Sequence, residues 1–321
     1  MSKVSIIGAS GTVGRYAALA ISRIPNMSEV LLFGRAHSHA MLEGIKRDLL
    51  DSSAATGIPT KVKYSSDILD LAGSDIVIIT AGVPRRPDQD RFDLASQNAW
   101  VVAEYSKKIA DVAPEALIMV VTNPVDIMTS VALEYSGKDK HHVFGLGTHL
   151  DSMRLKSLIA EQYHVHVSEV HTRIIGEHGE SMVPLWSATT IGGIQLANLP
   201  QFSKPDYESL LETVKKTGQK IIEGRGATEW GPGEAIATIV RVILGNENRI
   251  LTLAAYVSQE INGIGGVCIG VPVYINRSGV HPVEIHIEEE EAIAFKASVA
   301  RVKKATEEMM TMLEEKKNGW L

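Results

Sequence analysis

Residues 3–14 read Lys-Val-Ser-Ile-Ile-Gly-Ala-Ser-Gly-Thr-Val-Gly, and the reading of this stretch decides the fold. Lys3 to Ile7 is a short apolar strand, Gly8 to Gly14 carries three glycines, and Tyr16 to Ile24 then repeats apolar residues at helical spacing. Strand, glycine turn and helix in that order open a nucleotide-binding βαβ unit. Gly8 permits the tight bend, Gly11 lets backbone N–H groups approach a pyrophosphate, and Gly14 lets the helix lie close to the sheet. The amino end of that helix faces the phosphates. Candidate dinucleotide contacts are therefore Gly8, Ser10, Gly11, Thr12, Val13 and Gly14. The first gap is one residue longer than in the usual fingerprint, and it is the place directly after the first strand that gives the pattern weight.

Working outward, Val30 to Phe33 reads as the second strand. In folds that bind NAD an acid at its end, about 20 residues past the glycines, bonds the ribose 2′-hydroxyl. Gly34-Arg35 stands there instead. An arginine at that place accommodates a 2′-phosphate, so NADP is favoured over NAD, with Ser38 or His37 assisting; the competing account is a guanidinium that merely points into solvent. Helices are expected over 40–51, with Leu42, Ile45 and Leu49 on one face, and over 92–112, a span that includes Asn98. Strands are expected over 61–64, 75–80 and 116–122, the last followed by Asn123-Pro124. Apolar strands alternating with helices imply crossovers and a parallel sheet covered on both faces. The expected fold is α/β, a doubly wound Rossmann-type sheet over residues 1–146, followed by an α+β half over 147–321. In that half, strands are expected over 170–175, 251–257, 267–274 and 283–287, and helices over 150–162, 204–223, 234–244 and 288–317. With no linker or repeat between the halves, they should pack as one unit.

Composition excludes several classes. At 321 residues, with 45% hydrophobic and 22% charged side chains, the chain is an ordinary globular one with ample core. A net charge of −6 offers no basic footprint for nucleic acid. A lone cysteine, Cys268 in an apolar run, leaves no disulfide and no cysteine-based metal cluster, and is expected to be an inert buried thiol. No membrane-length apolar run and no leader-like segment are visible, so a cytoplasmic location is expected.

Two segments carry candidate chemistry. After the strand at 75–80, Thr80 to Leu94 (TAGVPRRPDQDRFDL) places Arg85, Arg86 and Arg91 on one loop at the carboxyl end of a parallel strand, where open α/β sheets bind ligands. Guanidiniums pair bidentately with carboxylates, so Arg85 and Arg91 suit an anionic substrate; an exposed loop neutralised by Asp88, Asp90 and Asp93 accounts for them equally well. Among 11 histidines, His178 stands out because it follows an apolar strand and has glycines near it on both sides. Histidine is the side chain best matched to proton transfer near neutral pH. Asp151 and Arg154 lie three apart at the start of a helix, hence on one face. A carboxylate there could fix an imidazole tautomer and the guanidinium could fork onto a substrate carboxylate, although spacing alone slightly favours a plain local ion pair.

Taken together, the glycine turn, TAGVPRRPDQDRFDL, VTNPVD (121–126), FGLGTHLDSMR (144–154), IIGEHGESMVPLWS and RGATEWGPGEA resemble the lactate/malate dehydrogenases over nearly the whole chain, most of all their lactate-dehydrogenase-like malate branch of methanogenic archaea. That resemblance implies a dehydrogenase acting on a small 2-hydroxy acid with NADP or NAD. It implies His178 as proton donor and acceptor, Asp151 as its partner, Arg154 on the C1 carboxylate and Arg91 polarising the carbonyl. Arg85 matches the position that holds the second carboxylate of oxaloacetate in malate enzymes and is usually Gln in lactate enzymes, so malate is the expected substrate. Asn123 would contact substrate and nicotinamide, Val121 and Asn98 the cofactor, and Thr228 the pocket. A homodimer or homotetramer is implied, and no metal. The pattern departs from the family at Pro87-Asp88-Gln89, where a hinge glycine is lost and an acid added, and at the missing ribose acid. The alternatives are a lactate or other 2-hydroxyacid dehydrogenase and, from another class, a non-catalytic dinucleotide-binding module.

Overall fold

In the computed structural model the backbone is described for residues 2–83, 91–199 and 207–318, and the side chains for the same spans except 91–94 and 316–318. The first half runs β1 (Ser2–Ile7), α1 (Thr12–Ser22), β2 (Met27–Phe33), α2 (His39–Thr56), β3 (Lys61–Ser65), β4 (Ile76–Ile79), α3 (Arg91–Val112), β5 (Leu117–Val120), α4 (Val125–Ser136) and β6 (Val143–Gly145). Strands β4 and β5, Ile-Val-Ile-Ile and Leu-Ile-Met-Val, are buried at every position, as parallel strands covered on both faces must be. Their order is β3-β2-β1-β4-β5-β6, with all neighbours parallel. The strand order reverses beside β1, between β1 and β4, so the carboxyl ends there form the crevice in which such sheets take ligands.

The second half comprises α5 (His149–Gln162), β7 (Val170–His171), β8 (Ile174–Gly176), β9 (Met182–Pro184), β10 (Thr190–Ile191), β11 (Ile194–Gln195), α6 (Tyr207–Arg225), α7 (Trp230–Gly245), β12 (Arg249–Val257), β13 (Val267–Asn276), β14 (Gly279–Pro282) and α8 (Glu289–Asn318). The sheet does not stop at the seam. Gly145 of β6 pairs antiparallel with Ala254 of β12, and the sheet continues through β13 to β8 and β9, eleven strands in all with β14. Gly147 makes the sharp exit into α5 possible: its φ is +53° and a Cβ there would lie 2.4 Å from the Ala254 nitrogen.

Several expectations are corrected. The segment 170–175 is not one strand. Val170 and His171 pair in a separate small sheet, β11-β10-β7, while Ile174 to Gly176 join the large one. The Ile174 N–H donates to the Ser152 hydroxyl of α5 at 2.9 Å, a bond that alternation of side chains cannot reveal. The segment 283–287 is not a strand either; it follows β14. Its alternation is real, with Val283, Ile285 and Ile287 partly buried, but its N–H groups go in turn to Pro272 of β13, to Glu260 and to the Asn262 side chain, so it pairs with no single strand along its length. Helix α1 begins a turn earlier than its apolar spacing indicates, directly after Gly11. Helix α4 was not expected, although its buried Val125, Met128, Val131 and Ala132 recur at helical spacing directly after Asn123-Pro124. Cys268 is buried and burial pushes its thiol up to about 12, which makes it inert.

Candidate active site

The chemistry gathers where α5 starts, beside the turn that leaves β8. Asp151 sits in the first turn of α5, 1% exposed, and its two oxygens have different partners. Oδ2 is 2.5 Å from His178 Nδ1, and Oδ1 accepts a bond from Arg154 Nη1 at 3.2 Å. A carboxylate can only accept, so Nδ1 carries the proton and Nε2 is the ring nitrogen left for exchange. Asp151 beside the imidazole raises the His178 pKa above its ordinary value, against the effect of burial. Burial pushes Asp151 the other way from its partners, but His178 and Arg154 together hold its carboxyl low. The result is a buried carboxylate held ionised beside a partly buried imidazole that is biased toward its protonated form.

The backbone around the ring is braced from three sides. The His178 N–H donates to Asp126 Oδ2 of α4 at 2.8 Å, and the Glu177 N–H donates to the Ser298 hydroxyl of α8 at 2.9 Å. The Glu177 carboxylate accepts from the Ser181 hydroxyl at 2.6 Å and lies 3.3 Å from Arg301 Nε. Asp126 and this brace were missed at the level of sequence. Asp126 stood in the quoted VTNPVD, but nothing in its spacing to His178, 52 residues on, shows that they meet.

A cavity of about 910 Å³ opens onto His178, Asp151, Arg154, Asn123, Val121 and Thr228, and reaches Thr12 and Val13 of the glycine turn. One space thus touches residues that the sequence singled out for hydrogen transfer and for the cofactor. Its far wall is α6, through Lys215, Gly218 and Gln219, also missed because α6 reads simply as an amphipathic helix. A Cβ at Gly218 would stand 3.6 Å from Arg154 Nη2, so the helix runs right beside the guanidinium.

Gly8, Ser10, Gly11 and Gly14 follow β1, and Gly34 and Arg35 follow β2. Gly8 has φ +86°, and a Cβ there would meet the Ala81 nitrogen at 2.7 Å; one on Gly14 would meet the Gly8 carbonyl at 2.6 Å. No side chain caps the amino end of α1 at Gly11. A tight turn that has no side chain at Gly8, Gly11 and Gly14 and ends in an uncapped helix amino terminus fits a dinucleotide's pyrophosphate. Arg35 is exposed, with Gly34 buried behind it. Asn98 is 4% exposed and spends its amide on backbone, its Oδ1 accepting from the Val83 N–H at 2.8 Å and its Nδ2 donating to the Asn123 carbonyl at 2.9 Å. It ties the root of the arginine loop to the turn after β5. Arg85, Arg86 and the Arg91 side chain lie outside the described residues.

Fold and site together define a dinucleotide-linked dehydrogenase. The family model for the lactate/malate dehydrogenase NAD-binding domain matches residues 2–145, and that for the lactate/malate dehydrogenase alpha/beta C-terminal domain matches 148–313. The chain belongs to the lactate/malate dehydrogenase family. It is 45% identical to a malate dehydrogenase of Methanosphaera stadtmanae, over 98% of this chain and 99% of that one. It is 48% identical to an L-2-hydroxycarboxylate dehydrogenase (NAD(P)(+)) of Methanocaldococcus jannaschii, over 97% and 100%. A solved malate dehydrogenase of Archaeoglobus fulgidus in complex with NADH superposes with a TM-score of 0.86 at 30% identity, covering 96% of this chain and 99% of that one. Among the described residues no helix is long and apolar enough to cross a membrane, and no acid, histidine or cysteine cluster could hold a metal.

Proposed function

We propose that this chain is a malate dehydrogenase, catalysing the reversible oxidation of (S)-malate to oxaloacetate with NADP or NAD. The observation that carries the reading is the Asp151 carboxylate shared between His178 and Arg154 on a cavity that extends to the glycine turn. When bound, the dinucleotide supplies or accepts the hydride at the substrate's C2. In reduction His178 gives its Nε2 proton to the carbonyl oxygen, and in oxidation it takes the hydroxyl proton back; Asp151 fixes the tautomer and stabilises the charged ring throughout. Arg154 uses one nitrogen on Asp151, which leaves guanidinium donors to fork onto the C1 carboxylate. Asn123 and Thr228 bound the substrate's space.

The arginine loop completes the site in this reading, on the strength of the family likeness. Arg91 polarises the carbonyl and Arg85 pairs with the second carboxylate, so a monocarboxylate would leave Arg85 unpaired. Residues 1–146 hold the dinucleotide through the glycine turn and 147–321 supply the substrate half. Arg35 favours a 2′-phosphate and hence NADP. Asn98 serves the cofactor side by holding Asn123 and the loop root. A cytoplasmic homodimer or homotetramer working in the tricarboxylic acid cycle belongs to the same proposal. A broader 2-hydroxyacid specificity is the second reading, favoured by the name of the M. jannaschii relative.

Steady-state oxidation of NADPH and NADH with oxaloacetate and with pyruvate separates these readings. Fast turnover with oxaloacetate and little with pyruvate supports malate, and a shift toward pyruvate in Arg85→Gln supports the clamp. Comparable rates with both acids would favour the broader enzyme. No turnover despite tight dinucleotide binding would leave a binding module.

A further inference from the structure

We propose that Asp126 is a positioning residue for the reaction proposed above: from behind the ring it anchors the His178 backbone and supplies a second negative charge that makes the imidazole more basic. The inference rests on that functional reading, but its geometry stands independently. Asp126 is 3% exposed in the first turn of α4, and its Oδ2 accepts from the His178 N–H at 2.8 Å. Its other oxygen, Oδ1, is buried with no hydrogen-bond partner among the described residues. Carboxylates so placed are costly unless something offsets the charge.

The ionisable groups that act on it lie on three neighbouring elements. The turn after β8 brings His178 and Glu177, α5 brings Asp151, and β13 brings Cys268, whose thiol stays neutral. Glu177 is itself engaged by Ser181 and Arg301. His178 thus stands between two buried acids, Asp126 and Asp151, and shares the second with the Arg154 guanidinium, whose charge opposes protonation of the ring. Burial pushes the Asp126 carboxyl up from 3.8 to about 7, opposed first by the His178 N–H and then by the charge of the ring, with Glu177 and Asp151 adding to the rise. The acid therefore changes charge in the range where the enzyme must pass protons. When it is ionised, it favours the imidazolium; when it is neutral, the hydrogen bond remains and the charge effect goes.

The test is D126N, which keeps an acceptor for the His178 N–H and removes the charge. Reduction needs the protonated ring, so the wild-type advantage in kcat/KM for oxaloacetate should grow with pH, by on the order of threefold between about pH 6 and about pH 9. D126A, which also removes the acceptor, should lower kcat further at every pH while KM for the dinucleotide holds. A pH-independent ratio between wild type and D126N would overturn the charge role, because a purely structural residue scales the whole profile equally. Should D126N not fold, the ring nitrogens of His178 in the dinucleotide-bound wild type should show a second inflection where the Asp126 carboxyl carbon titrates; independent curves would overturn the proposal. Absence of turnover with any 2-oxo acid would sink the functional reading, while this titration would still decide the role of Asp126.

Discussion

The two sides of the cavity are built by different means. On the β1–α1 side the surface is backbone: the Gly8 and Gly11 N–H groups fold the turn by bonding the Phe33 and Gly8 carbonyls, the amino end of α1 carries no side-chain cap, and the two closest approaches, at Gly8 and Gly14, exclude any side chain. On the α5–β8 side it is side chains, one carboxylate holding an imidazole and a guanidinium at once. A pyrophosphate needs several donors and no proton transfer, which backbone provides cheaply. Reduction of a carbonyl needs a group whose charge can change, which backbone cannot provide. The contrast predicts that damage on the first side is structural and shared between folding and cofactor binding, whereas damage on the second is chemical and separable from both.

The largest expected effect tests the second half of that statement. His178→Asn should lower kcat with oxaloacetate on the order of 10³-fold, the usual contribution of a positioned acid or base. Dinucleotide affinity, followed by fluorescence titration, should stay within about twofold. A comparable loss of dinucleotide binding would show that the two sides are not separable. On the backbone side, Gly8→Ala puts a Cβ 2.7 Å from the Ala81 nitrogen at φ +86°. The expected cost is roughly 2–4 kcal/mol in denaturant unfolding, with a weakened dinucleotide complex. A variant as stable as wild type that lost only cofactor affinity would break the comparison from the other end.

A third expectation concerns pH. His149, two residues before Asp151, is 8% exposed, and burial, with Arg173 and Arg249 nearby, lowers its pKa from 6.5 to about 4. Between those values the unfolded chain binds the proton and the native state does not, so this stabilisation is whole above pH 6.5 and is lost as pH falls through about 4. His149→Gln should flatten that acid limb by on the order of 2–3 kcal/mol, measured as unfolding free energy against pH. Superimposable limbs would mean that the histidine is not held neutral. Asp126 works in the opposite direction, since its raised pKa costs stability as pH climbs from 3.8 through about 7. Side-chain chemistry thus leaves a pH signature that the glycine side lacks.

The same contrast explains what could be read from sequence. The glycine turn is local, so strand, turn and helix were legible in 22 consecutive residues, 3–24, with α1 placed one turn late at its start and two residues long at its end. The chemical side is assembled from α4, α5, the β8 turn and α6, and local spacing sees little of it. For Asp151 and Arg154 spacing favoured a plain ion pair over a partnership with His178, and the structure contains both, because one carboxylate has two oxygens to give. The division of 170–175 into β7 and β8, and the failure of 283–287 to form a strand, share a cause: alternation reports burial, and the partner of each N–H is decided elsewhere in the chain.

Asn98 lies at the junction of the two constructions and should give the smallest effect. Its amide joins the Val83 N–H, at the root of the arginine loop, to the Asn123 carbonyl beside the substrate space. It is a side chain that acts only on backbone, so it belongs to neither pattern. Asn98→Ala leaves the part-buried Val83 N–H and Asn123 carbonyl without their partner, a cost of about 0.5–1.5 kcal/mol because water can reach both groups. If the residue couples the two sides, part of that cost appears as a rise in KM for dinucleotide and oxaloacetate together, with kcat less affected. If it is only a brace, unfolding free energy falls and both KM values stay put. The first outcome would make the separation of the two sides a property of their chemistry alone, because their positions would then be set through one shared amide.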